Sequence, residues 1–126
     1  SILGSIEHFV SINSAVEVDL EGQVNAEVIA GRQISGTGGS VDFMRAAKAS
    51  RGGRSIIAMT ATAKDDTVSR IVPKVEMVTA LRTDVDIVVT EYGVADLRHS
   101  TQRKRREALI GIAHPDFQTT LRDGTE

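Results

Sequence analysis

Short apolar runs rich in β-branched residues alternate along this chain with stretches of helical spacing, and this alternation restricts the fold most strongly. Strands are predicted at Phe9–Ile12, at Ala15–Leu20, at Val24–Ile29, in the run RSIIAMT and at Val85–Gly93. Helices are predicted at Val41–Ala49 and from Ser100 until Pro115 ends the pattern. Such alternation is typical of an α/β domain, so we predict a largely parallel sheet flanked by helices, with a more antiparallel start.

Three further segments carry weaker signals. TATAKDDTVSR is predicted as a polar connection, and IVPKVE as an edge or irregular strand, because Pro73 lacks the N–H that a central strand donates. The last residues, TTLRDGTE, are expected to fray.

The composition fits one domain and excludes several kinds of function. The chain has 126 residues, of which 40% are hydrophobic and 25% charged, and its net charge of −2 gives no reason to expect nucleic acid. The basic run Arg103–Arg106 is interpreted as the solvated face of a helix. Without cysteine there is neither a disulfide framework nor thiolate chemistry. No apolar run could span a membrane and no signal peptide is recognisable, so we expect a cytoplasmic location.

The glycine-rich stretch Gly31–Gly39 comes directly before the first predicted helix. Free N–H groups at a helix start attract anions, and glycine lets a ligand approach the backbone closely. The dinucleotide pattern G-x-G-x-x-G that begins at Gly36 fails at Val41, and a phosphate-loop pattern fails at Thr37 and Gly38. On these residues alone, an anion site and a plain strand-to-helix turn both remain open.

Two charged residues follow predicted strands. Lys64 comes after RSIIAMT, and Glu91, with Tyr92 beside it, ends the strand at Val85–Gly93. Ligands of open α/β sheets bind outside the carboxyl ends of the strands, so a lysine there suits an anionic ligand. An exposed loop lysine and a surface turn are the alternatives. Asp65 and Asp66 are interpreted as turn residues, and the three dispersed histidines show no metal-ligand spacing, so no metal site is predicted.

Five segments, taken in order, resemble the carboxyl-terminal part of the acetyl-CoA hydrolase/transferase family. They are FVSINSAVEVDLEGQVNAE, GRQISGTGGSVDFMRAA, TATAKDDTVSRIVP, VVTEYGVADLR and ALIGIAHPDF. That family includes 4-hydroxybutyrate, butyrate, acetate and succinyl-CoA:acetate CoA-transferases. The resemblance implies a class I CoA-transferase (NagB/RpiA-like) fold with two related α/β domains, of which residues 1–126 would be the larger part of the second.

The resemblance also implies a reaction and a set of site residues. A glutamate carboxylate attacks an acyl-CoA and becomes a glutamyl-CoA thioester, from which a second carboxylate takes the CoA. Coenzyme A is then a substrate, and no covalently bound cofactor is expected. Gly38 and Gly39 would lie in the CoA-binding loop, with the Gly39 N–H in the oxyanion hole. Lys64 and Ser35 would contact CoA, although some members carry Asn at the position of Ser35, and Glu91 would support the nucleophile.

The nucleophilic glutamate of the family belongs to a segment upstream of the matching region. Glu7, Glu17, Glu27 and Glu76 do not stand in its motif. The resemblance therefore implies a catalytically incomplete chain that needs the amino-terminal domain of the same enzyme. The expected partners are acyl-CoA, a short-chain carboxylate such as acetate or 4-hydroxybutyrate, and further copies of the chain in a homo-oligomer. Alternatives are an acetyl-CoA hydrolase, a non-catalytic CoA-binding module, and a structural domain whose glycine loop merely turns.

Overall fold

The computed structural model describes residues 10–26, 28–29, 32–33, 53–98 and 100–124. Apart from Arg32 and Gln33, the glycine-rich stretch lies outside these ranges, as do the helix predicted at Val41–Ala49 and Phe9 at the start of the first predicted strand.

Within the described ranges, eleven strands and two α-helices follow one another, with a 3-10 turn at Arg82–Asp84 before the tenth strand. They are β1 (Val10–Asn13), β2 (Glu17–Asp19), β3 (Val24–Asn25), β4 (Val28–Ile29), β5 (Arg32–Gln33), β6 (Arg54–Ala58), β7 (Thr62–Ala63), β8 (Val68–Ser69), β9 (Ile71–Val72), β10 (Ile87–Thr90), β11 (Gly93–Asp96), α1 (Gln102–Gly111) and α2 (Pro115–Asp123).

The main sheet has four strands in the order β1-β6-β10-β11. Strands β1, β6 and β10 are parallel, with Ile12 beside Ile56 and Ile56 beside Ile87, and β11 is antiparallel to β10. The prediction of a largely parallel sheet in an α/β domain is therefore confirmed. Because parallel strands end on the same side, the residues that follow β6 and β10, 59–66 and 91–92, form one edge, which we call the carboxyl edge.

The two faces of this sheet differ in burial. Ile57 and Val88 are fully buried on one face, where they belong to one apolar cluster with Leu109 and Ile110 of α1. Burying side chains of this size contributes roughly 1.5–3 kcal/mol each, which makes this face the main source of stability. On the opposite face Ile12 is 66% exposed and Val94 65% exposed, because successive side chains of a strand point to opposite sides.

A second sheet, in the order β3-β2-β9, is organised around a buried carboxylate. Asp19 is fully buried and accepts backbone N–H groups of Glu21, Gln23 and Val75 at 3.0, 2.9 and 3.2 Å. Burial raises the pKa of Asp19 although these hydrogen bonds oppose the shift. Strand β9 lies at the edge of this sheet directly before Pro73, as predicted from the missing N–H of proline.

The carboxyl-terminal region differs from the sequence prediction. α1 is capped by Thr101, whose Oγ1 accepts the Lys104 N–H, and it ends at Gly111. Pro115, predicted to end this helix, instead begins α2, because a proline at the first helical position needs no N–H. The fraying predicted for TTLRDGTE is wrong up to Asp123, since Leu121 of α2 is buried against the core.

The segment between β6 and β9 also differs from the sequence prediction. The polar connection predicted for TATAKDDTVSR is a short hairpin in which β7 pairs antiparallel with β8. In the described part of the chain, neither helix has the length and apolar character needed to cross a bilayer.

Candidate active site

Lys64 and Glu91, the two charged residues predicted at strand ends, both lie at the carboxyl edge. Glu91 follows β10 directly, and Lys64 stands in the turn between β7 and β8, six residues after β6. β6 and β10 are neighbours in the sheet, and the Met59 N–H extends their ladder by donating to the Val89 carbonyl at 3.0 Å. The segments that carry the two residues therefore leave the sheet side by side.

A hydrogen bond from the backbone to Glu91 joins these segments. The N–H of Ala61, which is fully buried, donates to Glu91 Oε1 at 2.7 Å. The chain has left the sheet at Ala61, so this N–H would otherwise lack a partner, and leaving a buried donor unsatisfied costs about 1–3 kcal/mol. Glu91 thus fixes the start of the hairpin that carries Lys64.

The hairpin turn holds Lys64 in an uncommon backbone conformation. Lys64, Asp65 and Asp66 have φ angles of 53°, 55° and 64°, all in the left-handed region that non-glycine residues seldom adopt. Two side chains close the turn: Thr62 Oγ1 donates to Asp66 Oδ1, and Thr67 Oγ1 donates to the Lys64 carbonyl at 2.7 Å. Among the residues described, the exposed Lys64 ammonium makes no ion pair, so it is free to meet a ligand.

Arg70 supports the base of the same hairpin. Its guanidinium donates to the Thr62 carbonyl at 3.3 Å and to the carbonyls of Ala15 and Val16 at 3.1 and 3.3 Å. It therefore ties β7 to the turn that precedes β2.

Thr90, the last residue of β10, connects the other side of the edge to the helices. Its buried hydroxyl donates to the Ile112 carbonyl at 2.6 Å and accepts the Tyr92 N–H at 3.1 Å. The Tyr92 ring meets the His114 ring edge to face at 5.5 Å, and His114 Nδ1 accepts the Asp116 N–H at the start of α2. The turn at Glu91 and Tyr92 is thus fixed to the junction between α1 and α2.

The carboxyl edge is acidic apart from Lys64. Desolvation is the main cause that raises the pKa of Tyr92, and the charges of Glu91, Asp66 and Asp116 raise it further. The charges of these carboxylates therefore act on the phenol, and Lys64 is the only lysine or arginine in residues 59–66 and 91–92. Within these two segments, Lys64 is the positively charged side chain that could bind an anionic ligand.

The remaining predicted site residues, Ser35, Gly38 and Gly39, lie outside the described residues. Within the ranges that the structure describes, no group of three or more histidine and carboxylate side chains could hold a metal ion.

The sequence analysis did not identify Thr90 or His114 as parts of this edge. Thr90 gives no sequence signal, because its acceptor, the Ile112 carbonyl, lies 22 residues away. His114 could have been recognised, since a residue directly before a proline at a helix start is in the capping position.

Comparison with known proteins identifies relatives over the whole chain. The family model described as "Acetyl-CoA hydrolase/transferase C-terminal domain" matches residues 1–125. The "4-hydroxybutyrate coenzyme A transferase" of Clostridium kluyveri is 54% identical over 118 residues, which are 91% of this chain and 28% of the relative. An "Acetyl-CoA hydrolase" of Kluyveromyces lactis is 40% identical over 90% of this chain and 22% of its own length.

Solved structures agree with this grouping. The 4-hydroxybutyrate CoA-transferase from Porphyromonas gingivalis superimposes with a TM-score of 0.81 at 48% identity, covering 98% of this chain and 27% of that structure. The chain thus spans between a fifth and a third of the length of these relatives.

Proposed function

Because the chain belongs to the acetyl-CoA hydrolase/transferase family, we propose that it is the carboxyl-terminal portion of a CoA-transferase. The enzyme would move CoA between an acyl-CoA and a short-chain carboxylate such as acetate or 4-hydroxybutyrate. The observation that carries this proposal is the 54% identity to a 4-hydroxybutyrate coenzyme A transferase over nearly the whole chain.

The proposed reaction consists of two exchanges on one glutamate. Its carboxylate attacks the acyl carbon of the acyl-CoA, which breaks the acyl–sulfur bond and gives an acyl-glutamyl anhydride and the CoA thiolate. The thiolate then attacks the glutamyl carbonyl, so that the acyl group leaves as a free carboxylate and CoA remains as a glutamyl thioester. The second carboxylate attacks in turn, takes the CoA and restores the glutamate, so no redox partner is needed. The proposal assigns this nucleophile to the part of the enzyme that precedes residues 1–126, which includes the amino-terminal domain and the start of the second domain.

The described residues support two roles at the carboxyl edge. Lys64 places an exposed ammonium, without an ion pair among the described residues, on a turn that is closed by Thr62 and Thr67, which suits a point contact to an anionic part of CoA. Glu91 Oε1 accepts a hydrogen bond from the Ala61 N–H. This contact suits a residue that supports the site rather than one that attacks the substrate. We further propose that Ser35, Gly38 and Gly39 contact CoA and that the Gly39 N–H stabilises the oxyanion.

An acetyl-CoA hydrolase is the second candidate, because a relative of that name is 40% identical over 90% of the chain. The two activities share the thioester and differ only in the acceptor, which is a carboxylate in the transferase and water in the hydrolase.

The test uses the intact protein whose reading frame contains the chain. When 4-hydroxybutyryl-CoA and acetate are supplied, we expect acetyl-CoA to form, and liquid chromatography measures its concentration over time. Loss of thioester without acetate, at the same rate as with acetate, would instead establish a hydrolase. No consumption of any acyl-CoA by the folded protein would refute both.

A second measurement tests whether the nucleophile lies outside residues 1–126. The 126-residue chain alone should show no acyl exchange, because the proposed nucleophile lies outside it. Exchange by the purified chain would contradict that assignment.

We also propose a homo-oligomer, which the exposed apolar side chains Val10, Ile12 and Val94 on one face of the main sheet support. Light scattering of the intact protein tests this, and a monomeric mass at working concentration would contradict it.

A further inference from the structure

The opposite end of the main sheet holds a cavity that the proposed transferase reaction does not use. It has a volume of about 740 Å³ and lies beside the first residues of β6, the residues before β10 and those after β11. We call this end the amino edge and the cavity the arginine cavity. Its volume falls within the range of about 300–1,000 Å³ that is typical of small-molecule sites.

Among the described residues, four arginines and one carboxylate, that of Asp86, line the cavity. They come from four separate elements and loops: Arg54 at the start of β6, Arg82 in the 3-10 turn, Arg98 after β11 and Arg105 in α1. Arg105 belongs to the basic run that the sequence predicted to be a solvated helix face. Arg103 and Lys104 of that run are indeed exposed, whereas Arg105 is partly buried and lines the cavity.

Carboxylates of the described residues neutralise only part of this positive charge: the charges of Arg98 and Arg54 act on Asp96, and that of Asp86 acts on Arg98. Arg98 is held by Asp96 through contacts of 2.9 and 2.7 Å, and Asp86 Oδ2 accepts the Ser55 N–H. Arg54 and Arg105 bond backbone carbonyls of Gly53 and Ser100. In the described part of the chain, Arg54, Arg82 and Arg105 make no ion pair with a carboxylate.

Arg105 packs against Gly22, and its side chain carries a hydrogen-bond donor without a partner in the described structure. Its Nε is buried without a hydrogen-bond partner in the described structure, which native proteins seldom tolerate unless a ligand or water is involved. Gly22 packs beneath it: a Cβ at Gly22, whose φ is +91°, would lie 3.2 Å from the Arg105 Cδ. The turn that Asp19 organises therefore holds this arginine against the cavity.

From these observations we infer that the arginine cavity binds a small molecule that bears phosphate groups, at a site separate from the carboxyl edge. Guanidinium groups present paired N–H donors that match phosphate oxygens, and three arginines that make no ion pair in the described part of the chain suit a multiply charged anion. Arg54 and Ala58 stand at the two ends of β6, which at a rise of about 3.3 Å per residue separates the edges by about 13 Å. A ligand here and an acyl-CoA at Lys64 would not exclude each other.

The experiment titrates pyrophosphate into the intact protein by isothermal calorimetry, with inorganic phosphate and citrate as comparison anions. We expect saturable binding of pyrophosphate, weaker binding of phosphate, and little binding of citrate. The variant Arg82→Gln should raise the Kd for pyrophosphate roughly tenfold, because it removes a charge-assisted contact, and Arg82→Lys should recover part of the loss. Arg82 is exposed and makes no ion pair with a described residue, so its replacement leaves the fold intact.

Two control variants separate this site from general charge. Arg103→Gln removes the same charge from the exposed side of α1 and should leave the Kd within about twofold. Lys74→Ala, which removes an exposed charge that does not line the cavity, should also leave the Kd for pyrophosphate unchanged. Absence of saturable pyrophosphate binding to the folded protein would overturn the inference. Equal losses from Arg82→Gln and Arg103→Gln, or tighter binding of citrate than of pyrophosphate, would overturn it as well.

Discussion

The two edges of the main sheet are built from the same strands but differ in chemistry. At the carboxyl edge, side chains and backbone satisfy each other: Glu91 accepts the Ala61 N–H, and Thr90 joins Tyr92 to Ile112. At the amino edge, arginines line an open cavity, and Arg105 Nε has no hydrogen-bond partner among the residues that the structure describes. The strands place the loops next to one another, and the residues in those loops determine the charge and the hydrogen bonding of each edge.

An anionic substrate at the carboxyl edge would need more positive charge or N–H donors than the described residues supply there. Asp65 and Asp66 follow Lys64 directly, and the charges of Asp66 and Glu91 both act on Tyr92, so the edge as described is acidic. A CoA site there would need further donors, and we expect the backbone of the glycine-rich stretch around Gly39 to supply them.

The largest effect is expected from Glu91. In the intact protein, Glu91→Ala should lower kcat/KM for acyl exchange on the order of a hundredfold, because a positioned electrostatic group and the anchor of Ala61 are both lost. Glu91→Gln keeps an oxygen for the Ala61 N–H and should separate the anchor from the charge. Steady-state kinetics measures both variants.

The matched control for Glu91 is Glu107→Gln on the exposed side of α1, which should leave kcat/KM unchanged. Near-native kinetics of Glu91→Ala would remove Glu91 from the site. Pyrophosphate binding should survive in all three variants if the two edges are independent.

Thr90 should affect stability more than chemistry. Thr90→Val keeps the shape of the side chain but removes the donor to the Ile112 carbonyl and the acceptor of the Tyr92 N–H. The free energy of unfolding should therefore fall by about 2 kcal/mol. Urea denaturation measures the change. The exposed Thr119→Val is the control for a β-branched replacement, and an equal effect of both would show that the link from β10 to the helices is unimportant.

Lys64 should affect substrate binding. Lys64→Ala should raise the KM for acyl-CoA roughly tenfold with a smaller change in kcat, because a single ammonium contact to an anion is lost. Lys74→Ala, another exposed lysine, is the control. A kcat that falls while KM stays constant would contradict a binding role.

The smallest effect concerns the amino edge and depends on pH. Arg98 lowers the pKa of Asp96 to about 2, so the pair stabilises the fold above the usual carboxyl pKa of 3.8 and loses this effect as the pH falls through about 2. Because both side chains are partly exposed, Asp96→Asn should cost only about 0.5 kcal/mol at pH 7 and nothing at the acid limit. Urea unfolding at both pH values checks this, with Asp65→Asn as the control.

The same variant sharpens the comparison of the edges. Asp96→Asn releases Arg98 toward the arginine cavity, so pyrophosphate binding should tighten by about twofold. Weaker binding would show that Arg98 depends on Asp96 for its position.

Local sequence signals were sufficient for the parallel strands of the main sheet and for part of the site. The apolar runs predicted β6 and β10, and since parallel strands end together, Lys64 and Glu91 were expected on one side. Sequence reasoning also associated Pro73 correctly with an edge strand.

Contacts between distant segments could not be predicted in this way. The bond from Thr90 to Ile112, the support of Arg105 by Gly22 and the meeting of four arginines from separate segments all depend on the packed fold. The hairpin at Thr62–Ser69 escaped prediction for a local reason: its turn has three left-handed residues and no glycine, which removes the usual turn signal.

That left-handed turn has a consequence for proteolysis. Trypsin cleaves after lysine, and proteases act readily on exposed loop tips that can open into their active sites. Lys64 is exposed, yet its carbonyl accepts both the N–H and the hydroxyl of Thr67, and its backbone curves away from the extended form. Cleavage after Lys64 therefore requires the hairpin to unfold first, so this exposed bond is protected for as long as the carboxyl edge stays assembled.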